Sequence, residues 1–235
     1  MGRRIAIIKI AGKGTRINSN VPKQYIEING CPIFIYTLRP FNNCKLIDSI
    51  CLVCDSEHMD YVKKQCEKFN MNKVTYFSVG GKNGNLSTFN GYSVVKDSLN
   101  DDDIIVSHDG VRALVTEDLI VDSIVKAEEY GSAIASFRSS GNILFMDNDN
   151  KFIGRDEIFI AQTPISLNKK IMDDCMSFFC EKDEATQNKY VGLDDIIFSL
   201  GYSIAKSKGD SLNFKITTNS DLVMFKALME KNNIS

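Results

Sequence analysis

Histidine and tryptophan are scarce in this chain of 235 residues, which has two histidines and no tryptophan. Neither His58 nor His108 has a second histidine or a cysteine at the spacing of zinc ligands, which makes a zinc site unexpected. The seven cysteines are an odd number scattered through apolar stretches, so we expect reduced thiols and no disulfide framework. Cys51 and Cys54 form a CxxC, but residues three apart on a strand point to opposite faces and could not readily chelate one ion.

The chain also lacks a large excess of positive or negative charge, and it has no long hydrophobic runs. Lys and Arg number 28 against 30 Asp and Glu, so the formal net charge is −2 and no global positive field could hold a nucleic-acid backbone. Apolar runs such as residues 5–8 are far shorter than the roughly 20 residues of a membrane span, and no signal-peptide cleavage pattern is found. We expect a cytoplasmic protein with no nucleic-acid partner and no membrane insertion. The charge balance does not exclude a local basic site.

The hydrophobic content of 43% can furnish the core of one large α/β domain. Short β-branched runs alternate with segments of helical period, which predicts a Rossmann-like, doubly wound, mostly parallel sheet in a single domain over residues 1–235. Asp55-Ser56-Glu57 and Asn219-Ser220-Asp221 predict helix starts. The predicted strands are 5–10, 49–54, 73–79, 103–107 and 133–137, and the predicted helices are 32–42, 57–69, 86–95, 116–130, 167–179 and 220–230.

Residues 138–156 interrupt this rhythm. The turn clusters Ser139-Ser140-Gly141-Asn142 and Asp147-Asn148-Asp149-Asn150 flank a short apolar run at 143–146. This pattern is typical of a hairpin, so we predict a protruding β-arm over 138–156. The polar stretch 181–189 predicts a loop, and residues 190–201 could hold a short helix.

The first predicted strand ends in a glycine-rich segment, Ala11-Gly12-Lys13-Gly14-Thr15-Arg16, which Pro22-Lys23-Gln24 follows. Ligands bind at the carboxyl ends of the strands in an open parallel sheet. Glycines let backbone N–H groups approach phosphate, and the three cations of this segment can neutralise a polyphosphate. The segment is neither a Walker motif nor a full GxGxxG, and a tight turn with solvated cations explains it equally well by itself.

Two further segments place charge beside predicted strands. The strand at 103–107 runs on to Asp109, with Arg112 three residues later. A carboxylate at a strand's carboxyl end beside a phosphate-binding loop suits Mg²⁺. Alternatively, Asp109 caps a turn and Arg112 pairs with a surface acid. Lys215 lies in the β-branched run Asn213-Phe214-Lys215-Ile216-Thr217-Thr218, where it either points into a polar cleft or protects an edge strand.

Taken in order, these segments resemble the cytidylyltransferases that make CDP-alcohols from CTP and a sugar-alcohol phosphate. The 2-C-methyl-D-erythritol 4-phosphate and ribitol-5-phosphate cytidylyltransferases are members of that family. The resemblance implies a nucleotidyltransferase type of Rossmann-like fold and covers nearly the whole chain. Besides the glycine-rich segment, the matching residues are Pro22-Lys23-Gln24-Tyr25, Gly80-Gly81 with Ser87 and Asn90-Gly91, His108-Asp109-Gly110-Val111-Arg112, Arg155 with Gln162-Thr163-Pro164, and Asn213-Phe214-Lys215-Ile216-Thr217.

The resemblance implies a role for each matching residue. Asp109 would bind Mg²⁺ or another divalent cation. Arg16 and Lys23 would stabilise charge on the α-phosphate and the departing pyrophosphate, and Lys215 would orient the reacting phosphates. The arm over 138–156 would cross onto a second subunit, which implies a homodimer. The residues expected at CTP are Ala11, Gly12, Lys13, Gly14, Gly81, Ser87 and Gly110, the last three around the cytosine, and those expected at the acceptor's phosphate are Arg155, Arg112 and Thr217.

This chain departs from the family's usual pattern at several positions. Gly84 stands where an arginine is usual, and Lys9 puts a charge into an apolar strand. The acceptor-side elements are changed to Ser139-Ser140 and to Val191-Gly192-Leu193-Asp194-Asp195. These changes favour ribitol or glycerol phosphate, for a capsule or teichoic-acid polymer, over the methylerythritol phosphate of isoprenoid synthesis. A CTP-binding protein without turnover and an enzyme that uses another nucleoside triphosphate are the alternatives.

Overall fold

The computed structural model describes residues 2–12, 14, 16–17, 19, 21–140, 143–144 and 152–232. Strands and helices alternate along most of this part of the chain. The strands are β1 (Arg4–Lys9), β2 (Glu27–Ile28), β3 (Cys31–Pro32), β4 (Ser49–Cys54), β5 (Val74–Val79), β6 (Ile104–Asp109), β7 (Ser132–Arg138), β8 (Ile143–Leu144), β9 (Phe152–Ile153), β10 (Phe159–Asn168) and β11 (Ala205–Lys208). The helices are α1 (Ile33–Asn43), α2 (Met59–Lys68), α3 (Gly84–Val95), α4 (Glu117–Tyr130), α5 (Lys169–Cys180), α6 (Glu184–Gln187), α7 (Leu193–Ser199) and α8 (Asn219–Asn232).

Seven strands form one sheet in the order β11-β7-β10-β6-β1-β4-β5. Neighbouring strands are parallel except β10, which runs antiparallel to both β6 and β7. The predicted mostly parallel, doubly wound sheet is therefore confirmed. Because β1, β4 and β6 are adjacent and parallel, their carboxyl ends meet at one edge, with Lys9 opposite both Val53 and Asp109.

Both faces of the sheet are buried, which is why its central strands are almost continuously apolar. Ile5 and Ile7 of β1 pack under α3, α5 and α7, while Ala6 and Ile8 pack under α1, α2, α4 and α8. Cys51 and Cys54 lie in different clusters, as expected for residues three apart on a strand. The same alternation puts the side chains of Lys9 and Asp109 on the α3 side of the sheet.

The structure differs from the predicted elements at three places. Residues 167–168, predicted to open a helix, instead end β10, and α5 starts at Lys169 because the Asn168 side chain accepts a hydrogen bond from Ile171 N (2.9 Å). The β-branched run at 214–217 forms neither a strand nor a helix, and Ile216 N ties it to the segment after β6 by donating to Val111 O (3.0 Å). The stretch 181–189 contains the short helix α6, which the Asp183 side chain caps at Thr186 N (2.8 Å).

The two predicted helix starts also differ in detail. Asp55 makes no side-chain capping bond at the turn it precedes, and its carboxylate is used elsewhere. At α8 the capping hydroxyl comes from Thr218, whose Oγ1 accepts from Asp221 N (3.3 Å) while Asp221 Oδ2 accepts from Thr218 N (2.7 Å). This reciprocal pair is a capping box, and it satisfies two backbone donors at the start of the last helix.

Part of the predicted arm is visible as a two-stranded antiparallel ladder separate from the main sheet. β8 pairs with β9, and Ile143 lies opposite Ile153. Residues 141–142 and 145–151 of the predicted arm lie outside the described residues. None of the helices in the described part of the chain is long and apolar enough to cross a membrane.

Helix α3 packs unusually close to the sheet at Gly91. A Cβ at this position would come within 2.7 Å of Cγ2 of both Ile7 and Val53, which are fully buried. We therefore predict that Gly91→Ala lowers the free energy of unfolding by about 1–3 kcal/mol in urea titration, because the core must shift to admit the methyl group. Gly84→Ala on the same helix is the control, since nothing lies within 4 Å of its Cβ. Equal stability of the two variants would contradict this packing.

Candidate active site

The glycine-rich loop after β1 is held from both sides. Gly12 and Gly14 have φ angles of +119° and +59°, which other residues rarely adopt, so the backbone strongly favours glycine at both positions. Gly12 N donates to Asp55 Oδ2 (3.0 Å), and Gln24 Nε2 donates to Gly12 O (2.9 Å). The end of β4 and the segment after the loop therefore fix its path. Lys13, a predicted triphosphate ligand, lies outside the described residues.

Lys23 brings a cation to this loop from the following turn. Its Nζ donates to Ile216 O (2.8 Å). This bond ties the turn after the glycine loop to residues 213–217, which we call the lysine segment. Burial, together with the charges of the nearby Lys215 and Arg16, lowers the pKa of Lys23 to about 8. The concentration of positive charge at this edge therefore exceeds what the protein itself neutralises, as expected for a site that binds an anion.

Asp109 is surrounded by three cations. Its Oδ2 lies 3.2 Å from Lys215 Nζ and 3.4 Å from Arg112 Nε, and its Oδ1 lies 3.7 Å from Lys9 Nζ. Burial alone would raise the pKa of Asp109, but the charges of Lys9, Lys215 and Arg112 hold it well below its usual range. The carboxylate is therefore ionised at any pH at which the protein would work.

A network of buried amides positions Lys215 and Arg112. Arg112 Nη1 donates to Asn213 O (2.8 Å), and Gln162 Nε2 donates to the same carbonyl (3.0 Å). Asn213 Nδ2 in turn donates to Thr163 O (2.9 Å), and Thr163 Oγ1 accepts from Asp109 N (3.1 Å). Gln162 and Asn213 thus tie β10, the end of β6 and the lysine segment together, so the motif residues around Lys215 are structural supports for it.

Two cavities open at this edge of the sheet. The first has a volume of about 530 Å³ and is bounded by the glycine loop, the start of α3 and the lysine segment. The second, of about 440 Å³, lies between β10 and the start of α7. The residues that line both cavities, and so mark the junction between them, are Lys9, Gly84, Asp109 and Lys215.

The structure brings most of the predicted site residues to these cavities. The predicted residues that line the first cavity are Ala11, Gly12, Gly14, Arg16, Lys23, Gly81, Ser87, Asp109, Lys215 and Thr217. Arg112 lines the second cavity. Thr217, predicted at the acceptor's phosphate, lines the first cavity instead, and its hydroxyl donates to Asp221 Oδ2 (2.8 Å). Ser87 Oγ accepts from Gly81 N (3.0 Å) and donates to Asn83 O (2.9 Å), so it also shapes the loop.

Two predicted site residues are placed away from these cavities. Gly110 lines neither cavity. Its N donates to Lys9 O (2.8 Å), and its O accepts from Thr37 Oγ1 (2.9 Å). A Cβ at this position would come within 2.1 Å of Ile10 Cγ2. This glycine therefore permits close packing of β6 on β1. Arg155 is exposed in the turn after β9 and, within the described chain, lines neither cavity.

Sequence reasoning gave no site role to Asp55 or Gln24, and it named Asp194 only as part of a changed acceptor-side element. Asp55 follows β4 at the edge where β1 and β6 also end, so parallel-strand geometry could have found it. Gln24 carried no such signal, because its bond to Gly12 depends on the tertiary path of the loop. Asp194 lines the second cavity, and burial raises the pKa of its carboxyl group.

The residues at the junction fit a divalent cation held jointly with a ligand. Mg²⁺ is usually bound by one or two carboxylates together with phosphate oxygens and water. Asp109 supplies one carboxylate beside the first cavity, but its three cationic neighbours repel a free metal ion. No group of three or more His, Cys, Asp or Glu residues that could hold a metal is found in the described ranges. The anion of a bound polyphosphate would supply both the missing ligands and the missing negative charge.

A doubly wound sheet with a glycine loop, clustered cations and two joined cavities at its carboxyl edge defines a nucleotide-binding transferase. The family model of IspD, 2-C-methyl-D-erythritol 4-phosphate cytidylyltransferase, matches residues 4–231. The chain therefore belongs to this cytidylyltransferase family, and it is a nucleotidyltransferase.

Curated relatives of two kinds are equally similar to this chain. A ribitol-5-phosphate cytidylyltransferase of Streptococcus agalactiae serotype III (strain NEM316) is 33% identical over 232 residues, which cover 96% of this chain and 95% of the relative. A 2-C-methyl-D-erythritol 4-phosphate cytidylyltransferase of Clostridium botulinum (strain Langeland) is 33% identical over 235 residues, covering 98% and 99%.

Solved structures agree on the fold. The 4-diphosphocytidyl-2C-methyl-D-erythritol synthase of Anaerococcus prevotii DSM 20548 superposes with a TM-score of 0.80 at 24% identity, covering 97% of this chain and 99% of that one. The 2-C-methyl-D-erythritol 4-phosphate cytidylyltransferase of Francisella tularensis gives 0.75 at 24% identity, covering 96% and 99%. At this identity, the likeness shows the fold.

The charge balance around Asp109 predicts the effect of removing its carboxylate. We expect Asp109→Asn to lower the free energy of unfolding by about 2–3 kcal/mol at neutral pH, because the largely buried Lys9 and Arg112 and the partly exposed Lys215 lose their shared counter-charge. Glu184→Gln is the matched control, since it breaks the exposed pair with Lys82 and should change stability by less than about 0.5 kcal/mol. Urea titration of both variants tests this. If both variants lose equally little, Asp109 does not hold the cationic cluster together.

Proposed function

We propose that the protein transfers CMP from CTP to a sugar-alcohol phosphate such as ribitol 5-phosphate or glycerol phosphate, releasing a CDP-alcohol and pyrophosphate. The observation that carries this proposal is the pair of cavities that meet at Asp109 and Lys215. A transfer between two phosphates needs two binding spaces and one shared point at which the phosphates meet. The first cavity, with the glycine loop, Arg16 and Lys23, suits CTP, and the second suits the acceptor.

The reaction needs little acid–base chemistry from the protein. An oxygen of the acceptor's phosphate forms a bond to the α-phosphorus while the bond from that phosphorus to the oxygen bridging to the β-phosphate breaks, and pyrophosphate leaves with the electron pair. The attacking phosphate is already ionised near neutral pH, so no proton has to be removed. Positioning and neutralisation of charge therefore dominate catalysis. Arg16 and Lys23 neutralise the leaving pyrophosphate, and Lys215 orients the phosphates at the junction.

Asp109 would hold Mg²⁺ together with the triphosphate, and the bound metal would draw charge from the reacting phosphate. The chain's own contribution is a rigid carboxylate whose orientation is fixed by Lys215 and Arg112. Mg²⁺ would bind as the complex with CTP, because the positive cluster around Asp109 disfavours metal binding before the nucleotide.

The acceptor assignment rests on the second cavity and on sequence. Its lining includes the carboxylate of Asp194, an acceptor of hydrogen bonds that suits a row of hydroxyl groups. The changed elements at 139–140 and 191–195 and the ribitol-5-phosphate relatives support a polyol phosphate that serves a capsule or teichoic-acid polymer. A second candidate acceptor is 2-C-methyl-D-erythritol 4-phosphate, which equally similar relatives favour.

A homodimer completes the proposal. Arg155 is exposed beside the β8–β9 ladder and lines neither cavity among the described residues of its own chain. We propose that the arm over 138–156 crosses to a second subunit, where Arg155 contacts the acceptor's phosphate. This arrangement gives the exposed arginine a ligand without any rearrangement of the sheet.

The acceptor is tested by pyrophosphate release from CTP and Mg²⁺ with ribitol, glycerol, arabinitol, mannitol and methylerythritol phosphates. We expect ribitol or glycerol phosphate to exceed methylerythritol phosphate by about tenfold or more in kcat/KM. Asp109→Asn is the control for the metal role and should lose turnover. A strong response to methylerythritol phosphate alone would establish the second candidate. Binding of CTP without pyrophosphate release from any acceptor would instead indicate a non-catalytic binding protein.

The lowered pKa of Lys23 predicts how nucleotide binding depends on pH. Because the pKa is about 8 in the free protein, the ammonium loses its proton as the pH rises through that value. CTP affinity should therefore fall about tenfold between pH 7 and pH 9 at constant Mg²⁺, as measured by calorimetry. Lys23→Arg keeps its charge over this range and should flatten the profile. An equal pH dependence in both proteins would exclude Lys23 as the titrating group.

A further inference from the structure

Lys9 is an ammonium group placed at the junction of the two cavities. It is the last residue of β1, lies in register with Asp109 of β6, and lines both cavities. Of the other three residues at the junction, Gly84 has no side chain and Asp109 is an anion. Lys9 and Lys215 are therefore the two cations that the described chain presents to both cavities at once.

Asp109 is already paired with two closer cations, so the positive charge of Lys9 is not needed to balance this carboxylate. Lys215 and Arg112 approach the carboxylate at 3.2 and 3.4 Å, whereas Lys9 Nζ lies 3.7 Å away. The Lys9 side chain is only 16% exposed, and burial of an ammonium costs free energy. Burial lowers the pKa of the Lys9 amine, and the charge of Asp109 opposes this effect only in part. A buried third cation beside one carboxylate leaves positive charge for which the protein has no partner.

The proposed reaction brings two phosphate groups together at this point. Their mutual repulsion is greatest when the attacking oxygen approaches the α-phosphorus, so a cation between them stabilises the transition state more than either bound substrate. Lys215 can contact the phosphates from one side of Asp109. Lys9 lies on the other side of Asp109. Among the described residues, it forms a salt bridge with no other acid.

We propose that Lys9 is a catalytic residue whose ammonium contacts the non-bridging oxygens of the α-phosphate and of the acceptor's phosphate at the junction. This inference rests on the proposed function and adds a residue to it. The cation at the junction is supplied by β1, since α3 has no side chain at Gly84. A Cβ at Gly84 would have no atom within 4 Å. The same open space makes Gly84 a position from which another cation could reach the junction.

Lys9→Met tests the role because methionine keeps the length of the side chain and removes its charge. We expect kcat for pyrophosphate release to fall about 100-fold or more, while KM for CTP changes less than about threefold. The melting temperature should stay equal or rise, because a buried charge is removed while Asp109 keeps Lys215 and Arg112. Lys64→Met, an exposed lysine of α2, is the matched control and should match the wild type.

A second cation supplied from α3 gives a rescue experiment. The double variant Lys9→Met/Gly84→Arg should recover at least about tenfold of the lost kcat, because arginine at 84 can reach the junction. A Lys9→Met enzyme that keeps kcat within about threefold of the wild type would overturn the inference. So would a lower melting temperature with an unchanged ratio of kcat to KM, the pattern of a purely structural residue.

Spectroscopy separates this inference from the proposed function. In ³¹P spectra of protein-bound CTP, Lys9→Met should move the α-phosphorus resonance and leave the γ-phosphorus resonance in place. This readout needs no turnover, so it decides the role of Lys9 even if no acceptor is used by the wild type. An α-phosphorus resonance that is the same in both proteins would overturn the inference and leave the proposed function intact.

Discussion

The ionised carboxylate of Asp109, held among three cations, is the interaction on which the rest of the site depends. It holds Lys215 and Arg112 in place. Arg112 and Gln162 both donate to Asn213 O, which links the end of β6 with β10 and with the segment before α8. Each of these elements comes from a distant part of the sequence. The parallel sheet makes this convergence possible, because it brings the carboxyl ends of its central strands to one edge.

The same cluster explains why the site calls for a highly charged ligand. One carboxylate cannot neutralise Lys9, Arg112 and Lys215, and Arg16 and Lys23 add further positive charge beside the first cavity. A nucleoside triphosphate with a bound metal ion would restore the balance, and the phosphate of the acceptor would complete it. In the proposed reaction, binding energy from charge neutralisation would be concentrated where the phosphates react, which would favour the transition state over the separate substrates.

Local patterns in the sequence predicted the sheet, whereas most residues of the first cavity were implied by the order of motifs that this chain shares with its family. Alternating strands and helices gave the doubly wound fold, and positive φ angles explain the glycines at 12 and 14. Asp55 was misjudged because an acid before a helix looks the same whether it caps that helix or binds a neighbouring loop. The antiparallel β10 and the strandless segment around Lys215 depend on partners far along the chain, which residue patterns cannot reveal.

Acceptor recognition was the least predictable part of the site. Arg155, expected at the acceptor's phosphate, is exposed beside the arm. On the nucleotide side, Gly110 was expected at the cytosine and supports packing of β6 on β1. Lys9 was visible as a charge in an apolar strand, yet its position between two cavities emerged only from the register of β1 with β6. Residues that meet a ligand from opposite sides of a junction leave no common signature in sequence.

The most direct test of this view of the site is a crystal structure of the protein with CTP and Mg²⁺. We predict that the triphosphate follows the loop at 12–16, that Asp109 is a ligand of the metal, and that the α-phosphate lies at the junction beside Lys9 and Lys215. A triphosphate bound away from this junction, or a nucleotide whose α-phosphate faces neither lysine, would contradict the central claim that the cationic cluster around Asp109 is the reaction centre.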